Sequence, residues 1–289
     1  MVPNGALFLL LTCFSGLVHG EVAANFSSCL EFFYRNEPPK GITGPEYRHI
    51  CQLYRNAYRF ATLYDSKYRT PLYSAYKLHS PDGKRPKPEW MIEPQLANSK
   101  GNKNMMYIEN PDQNVKESQA VNDDYKHSGY TRGHLAPSSH QATMDDRNAT
   151  FTLTNIVPQT ATSNNQDWSK FEQKMSARFK NVCKDKLYVI TGIIPYKSGE
   201  HKIKDRVFIP EYIWSAYCCD DNNVGQDQGK YFRTYAAVGR NDPNSGDDVV
   251  EKKKSGYDVK EMPLEELELI LKKKLNMNIA LFDGHCGAK

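Results

Sequence analysis

Arg132, Gly133 and His134 stand side by side in the run Gly-Tyr-Thr-Arg-Gly-His-Leu-Ala-Pro at residues 129–137, and Asn164, Trp168 and Glu172 follow downstream. These residue types suit phosphodiester hydrolysis, which needs an activated water, a phosphate clamp and a stabiliser for the leaving oxygen. His134 is the candidate base, because neutral imidazole accepts a proton near pH 7. Arg132 carries a permanent planar charge matched to phosphate oxygens. Gly133 between them permits close approach of backbone and substrate. Asn164 offers a hard amide oxygen suited to Mg²⁺, with Mn²⁺ as the second candidate. Mg²⁺ keeps most of its waters and takes few protein ligands. Base and metal together fit metal-assisted hydrolysis.

The elements that must position these groups are short. Residues 121–137 are rich in Asn, Asp, Ser and Gly, which puts His134 where a loop enters a short strand. Residues 151–157 alternate β-formers and read as a second strand. Residues 163–181 read as a helix, with Trp168, Phe171, Met175 and Phe179 on its core face and Ser163 as its N-cap. Asn164, Trp168 and Glu172 fall at i, i+4 and i+8, along neighbouring strips of one side.

Three segments together, Thr131-Arg132-Gly133-His134, Thr154-Asn155-Ile156-Val157-Pro158-Gln159 and Asn164 through Trp168-Ser169-Lys170-Phe171-Glu172, resemble the DNA/RNA non-specific endonuclease family. Within it, the endonuclease domain-containing 1-like proteins are the likeness. The resemblance covers roughly residues 55–240. It implies an α+β fold, a central mostly antiparallel sheet flanked by helices, with a ββα-metal finger as the active site. It also implies DNA or RNA as substrate. Thr131 departs from the family pattern, which has Asp there. Thr keeps a hydroxyl but no charge. If the carboxylate supports the metal site, activity falls; if it shapes the loop, Thr serves.

Each site residue has a plainer reading beside the functional one. Asn164 is a metal ligand or a helix cap, and Asn165 is its rival in register. Asn155 orients His134 or bonds its own loop. Glu172 supports the metal site from outside the ligand set or sits on a solvated helix face. His140, six residues after His134, reads as chance rather than as a second ligand. The Lys252-Lys253-Lys254 run reads as a solvated stretch.

Around this motif core the chain reads as residues 1–20, a signal peptide with the apolar run Ala6 to Leu11, then residues 21–289 as one secreted domain. The apolar run is too short to span a membrane. Removing Cys13 with the leader leaves Cys29, Cys51, Cys183, Cys218, Cys219 and Cys286. This even set in an oxidising compartment allows up to three disulfides among fifteen pairings. Adjacent Cys218 and Cys219 are expected to bond different partners. Asn25 and Asn148 begin glycosylation sequons, usable only on exposed loops. The formal charge of +4 permits nucleic-acid binding without arguing for it. Strands are expected at 59–64, 71–78, 187–194, 207–216 and 231–238, loops at 80–104, 220–230 and 241–257, and an amphipathic helix at 264–275. Residues 30–34 and 46–54 read as helical or loop elements held by Cys29 and Cys51.

The first functional reading is a secreted metal-dependent endonuclease with His134 and Arg132 catalytic and Asn164 on the metal. The second is a catalytically impaired binding module on a nuclease scaffold, motivated by Thr131. Oligomeric state is not legible.

Overall fold

The computed structural model describes residues 22–183, 186–197, 201–220, 234–245, 249–250, 258–284 and 286, with backbone only at 179–182. The leader, the Lys252 to Lys254 run and the Phe179 side chain lie outside the described residues. So does most of the 220–230 loop.

In chain order the strands are β1 (Val22–Ala23), β2 (Tyr47–Tyr54), β3 (Ala57–Asp65), β4 (Thr70–Leu78), β5 (Met91–Ile92), β6 (Met106–Tyr107), β7 (Thr131–His134), β8 (Ile156–Gln159), β9 (Leu187–Ile194), β10 (Lys202–Ile203), β11 (Val207–Phe208), β12 (Tyr212–Cys219), β13 (Thr234–Arg240) and β14 (Val259–Met262). The helices are α1 (Pro94–Ala97), α2 (Gln113–Ser118), α3 (Asn122–Tyr125), α4 (Met144–Ala149), α5 (Trp168–Val182) and α6 (Leu264–Leu275). Eight strands form one sheet in the order β1-β2-β3-β4-β9-β12-β13-β14. Every pairing in it is antiparallel. The expected α+β architecture is therefore present.

β9 and β12 are buried at every position, because both faces of the sheet are covered. A strand covered twice carries a near-continuous apolar run rather than an alternating one. On one face Ile190, Ile194, Trp214 and Ala216 meet Leu264, Leu267 and Leu271 of α6. On the other, Val189, Ile193, Ile213 and Tyr217 meet Trp168, Phe171 and Met175 of α5. Two pairs of buried hydroxyls in this sheet bond across strands. Thr62 bonds Ser74 at 2.9 Å and Thr191 bonds Ser215 at 2.8 Å, as buried polar groups require.

Three disulfides join Cys29 to Cys51, Cys183 to Cys219 and Cys218 to Cys286. Successive strand residues point to opposite faces. Cys218 therefore reaches the C-terminal segment on the α6 side, and Cys219 reaches the end of α5. The expectation of two different partners holds.

Several local expectations are corrected. Residues 46–54 form strand β2, not helix or loop; its buried Gln52, which interrupts the apolar pattern, donates from Nε2 to Thr154 Oγ1 at 3.0 Å. Residues 151–157 are not one strand: a 3₁₀ turn, Leu153–Asn155, precedes β8. Residues 207–216 divide into β11 and β12, with Pro210 between them, where its missing N–H interrupts a ladder. The 80–104 loop carries β5, α1 and the fully buried Glu93. Ser163 caps nothing; it lies inside a continuous helical run, as a π-turn, Ser163–Asp167, leads directly into α5.

Candidate active site

β7 and β8 pair antiparallel, with Thr131 opposite Gln159 and His134 opposite Ile156. The chain then enters the π-turn and α5, so two strands and a helix surround one cavity. What closes over Gly133 is protein rather than substrate: a Cβ there would lie 2.3 Å from Gln159 Oε1. Gln159 is buried and donates from Nε2 to Ser163 Oγ at 3.0 Å. Gly133 thus lets the end of β8 tie strand to helix start.

The cavity holds about 320 Å³ and is lined by Arg85, Arg132, His134, Asn164, Asn165 and Glu172, among others. Eight residues of unbroken α-helix would leave Asn164 and Glu172 about 80° out of line. The π-turn spends one extra residue on its revolution and so leaves an offset of only about 20°. That is how both side chains come to face the same space.

His134 is buried between two aromatic rings, Trp90 at 5.7 Å and Phe151 edge-on at 4.9 Å between centroids. Burial, then the Arg85 charge, lowers its pKa to about 3, and the Arg132 backbone pulls weakly the other way. The imidazole is therefore neutral at pH 7, and its buried Nε2 has no hydrogen-bond partner among the described residues. An anion entering the cavity raises the basicity of that nitrogen.

Arg132 is pre-positioned. Its Nη2 donates to the Asn122 carbonyl at 3.0 Å and to Asn122 Oδ1 at 2.7 Å. Its guanidinium lies 5.3 Å from the Trp90 centroid and 5.2 Å from that of Tyr125. Such a stacked, anchored guanidinium loses little freedom on meeting a phosphate.

Thr131 fixes the orientation of Asn164. The Thr131 hydroxyl donates to the Gln159 carbonyl at 2.8 Å. Having one hydrogen, it must then accept, and it does so from Asn164 Nδ2 at 3.0 Å. The amide nitrogen is thereby committed, and Asn164 Oδ1 is left for the cavity. Asn165 also lines the cavity without this lock. The Asn164 amide oxygen and the Glu172 carboxyl line one cavity, and hard oxygens of this kind suit a divalent cation.

Glu172 is half-buried on the cavity wall rather than on a solvated helix face. Burial pushes its carboxyl up to about 8, with Trp168 and Arg85 pulling part of the way back. Asn155 is fully buried and uses its whole amide. Its Oδ1 accepts from Ser74 Oγ and the Ala136 N–H, both at 2.9 Å. Its Nδ2 donates to the Ala136 and Thr150 carbonyls, both at 3.0 Å. It therefore clamps the backbone just beyond His134.

His140 is buried with Nδ1 2.9 Å from the Tyr76 hydroxyl and Nε2 3.3 Å from the Glu172 carbonyl. Burial lowers its pKa to about 4. Below pH 6.5 the unfolded chain takes up a proton that folded His140 refuses, so this residue's effect is a stability loss as pH falls from 6.5 to 4. The full loss is about 3 kcal/mol. Urea unfolding should show a shallower fall over that window in His140→Gln than in the parent; identical pH slopes would contradict the assignment.

The two sequons differ. Asn25 is exposed. Asn148 lies inside α4, and its Thr150 is fully buried with Oγ1 donating to the Arg147 carbonyl at 2.8 Å, so the second sequon is not on an exposed loop. Sequence reasoning missed Arg85, Trp90 and Asn122. Arg85 belongs to a stretch read only as surface loop, yet its guanidinium sits 5.3 Å from the Phe151 centroid at the cavity edge.

The sequence matches the family model "DNA/RNA non-specific endonuclease" over residues 45–269. It is 34% identical over 221 residues to the Endonuclease domain-containing 1 protein of Homo sapiens, covering 74% of this chain and 43% of that protein. It is 29% identical over 227 residues to the mitochondrial Nuclease EXOG of Xenopus laevis, covering 72% of this chain and 57% of that one. The chain thus spans about half the length of these relatives. In fold it is similar to a chain in the crystal structure of the EndoG/EndoGI complex, with TM-score 0.50 and 17% identity over 89% of this chain and 90% of that chain.

Proposed function

The chain belongs to the DNA/RNA non-specific endonuclease family, and from that premise we propose that it is a secreted, Mg²⁺-dependent endonuclease acting on DNA and RNA, a single domain once residues 1–20 are removed. The observation that carries the reading is the convergence of His134, Arg132 and the Thr131-locked Asn164 on one cavity. His134 Nε2 takes the proton of the attacking water. Arg132, with Arg85 lining the same cavity, holds the phosphate oxygens. Contact through phosphate rather than base edges makes cleavage indifferent to sequence. Asn164 Oδ1 is the protein ligand for the divalent cation, and Glu172 supports that site. When bound, the cation stabilises the charge on the transition state and leaving oxygen. The Glu172 carboxyl, held above the usual carboxylate range by burial, would balance part of the cation's charge. The three disulfides support an oxidising compartment. No helix among the described residues is long and apolar enough to cross a membrane. Asn25 is the proposed glycan acceptor.

The test is plasmid nicking by purified protein with Mg²⁺ and with chelator. Digestion is expected only with Mg²⁺; equal digestion in both removes the metal-dependent mechanism. Asn164→Ala and Thr131→Val should both raise the Mg²⁺ concentration needed for half-maximal rate, and part of the defect should recover at high Mg²⁺.

The second reading, a binding module without catalysis, rests on Thr131 in place of Asp. Salt-sensitive DNA binding with no cleavage under any divalent metal would favour it. The Thr131 hydroxyl already makes the bonds that orient Asn164, and this favours an active enzyme.

A further inference from the structure

A second cavity, of about 230 Å³, opens beside the turn between β3 and β4, away from α5. Tyr47, Tyr68, Phe208 and Trp214 supply aromatic walls. Two polar groups on its lining are buried and incompletely used. Thr70 is 1% exposed, and its Oγ1 has no hydrogen-bond partner among the described residues. Asp65 is 4% exposed; its Oδ1 accepts from the Lys67 and Tyr68 N–H groups at 2.9 and 3.0 Å. No described group bonds Oδ2. A buried hydroxyl left unpaired is costly unless something else satisfies it, and the second Asp65 oxygen is open to an incoming donor.

The surroundings narrow the ligand. A purely apolar occupant would leave Asp65 and Thr70 unpaired. A cationic one would meet Lys197, which lines the cavity. It would also meet Lys67 and Lys202, whose ammonium nitrogens stand 5.5 and 5.8 Å from the Tyr68 centroid. An occupant with a planar ring, N–H donors on that ring and an anionic substituent satisfies all three features. The ring stacks on the aromatic walls, the donors meet Asp65, and the anion meets the lysines. An apolar cavity of about 150 Å³ holds benzene, so the larger space here admits a fused two-ring heterocycle with its sugar and phosphate outside.

We propose that this cavity is a binding site for a purine nucleoside monophosphate, separate from the catalytic cavity. The base enters between the aromatic rings with an N–H on Asp65 Oδ2 and an acceptor on the Thr70 hydroxyl, and the phosphate rests on Lys197. No bond is made or broken there.

Calorimetric titration of the purified full chain with GMP and AMP tests this. Chelator is included so that phosphate is not drawn to a metal at the catalytic cavity. Saturable binding of at least one of the two is expected, with UMP weaker and ribose 5-phosphate weaker still. Asp65→Asn keeps the acceptor for the turn's N–H groups but offers a donor where the base needs an acceptor, so affinity should fall at least about tenfold, the worth of one such hydrogen bond. Should that variant fail to fold, Thr70→Val makes the same test by removing only the hydroxyl. Lys197→Ala should weaken GMP or AMP but leave the bare nucleoside unchanged. Asp65→Asn should nick plasmid at the parental rate, so loss of nucleotide binding and loss of catalysis are read separately. No binding of either purine nucleotide at millimolar concentration overturns the proposal. So does binding that survives Asp65→Asn and Thr70→Val but is lost in Arg132→Ala, because that places the nucleotide in the catalytic cavity.

Discussion

His134→Ala is expected to lower the plasmid nicking rate about 10²–10⁴-fold at pH 7, the usual cost of losing a general base. The imidazole is the neutral acceptor at the cavity wall, and its Nε2 has no other partner among the described residues. Added Mg²⁺ should not restore the rate, because the Asn164 lock on Thr131 is untouched and metal occupancy was never the defect. Asn164→Ala differs on this point, which separates the two roles without any structure of a complex. The ring also fills space between Trp90 and Phe151, so melting curves must confirm that the variant is folded at the assay temperature. Initial rates on supercoiled plasmid, from preparations free of contaminating nuclease, are the measurement. Wild-type nicking by folded His134→Ala would move the proton acceptor elsewhere.

Asn155→Ala is expected to cost about 3–5 kcal/mol of stability, with activity falling as well. The truncation strands four partners at once: the Ala136 N–H, the Ala136 and Thr150 carbonyls, and the Ser74 hydroxyl. Each buried group left unpaired costs about 1–3 kcal/mol. Ser74 still has Thr62, which limits the total. The loosened Ala136 backbone lies two residues from His134, so the rate should drop even where the protein remains folded. Urea unfolding gives the first number and nicking below the unfolding transition gives the second. A loss under about 1 kcal/mol would mean that water replaces the amide without penalty.

That Arg132, His134, Asn164 and Glu172 share one cavity was legible from the family pattern they resemble together, not from any one of them. β9 and α6 were legible from apolar pattern alone, and both occur at the expected bounds. Strand β2 was not, because Arg48, His49 and Gln52 break its pattern. The Gln52 amide finds an acceptor in Thr154, distant in sequence. The π-turn was illegible for a related reason: a helix pattern reports which side is buried, not where the helix widens. Arg85 was invisible because nothing local marks it. It reaches the site through a contact with Phe151 that exists only in the folded molecule. The motif places Asn155 near His134, but its four bonds, to Ser74, Ala136 and Thr150, join segments that only the folded molecule brings together.

The adjacent cysteines of β12 also determine how the molecule comes apart when its backbone is cut. Cys183–Cys219 and Cys218–Cys286 enclose overlapping spans of chain. Any one peptide bond broken between residues 183 and 286 leaves two pieces that are still one covalent molecule. Cys29–Cys51 gives the same cover to a second, shorter span. Between residues 51 and 183 there is no such cover, and that stretch carries Arg85, Arg132, His134, Asn164 and Glu172. A single protease cut there separates the chain into two molecules. In a protease-rich fluid, the C-terminal part keeps its covalent continuity through a nick, while a cut in the motif stretch leaves two chains held only by non-covalent contacts such as the β4–β9 pairing.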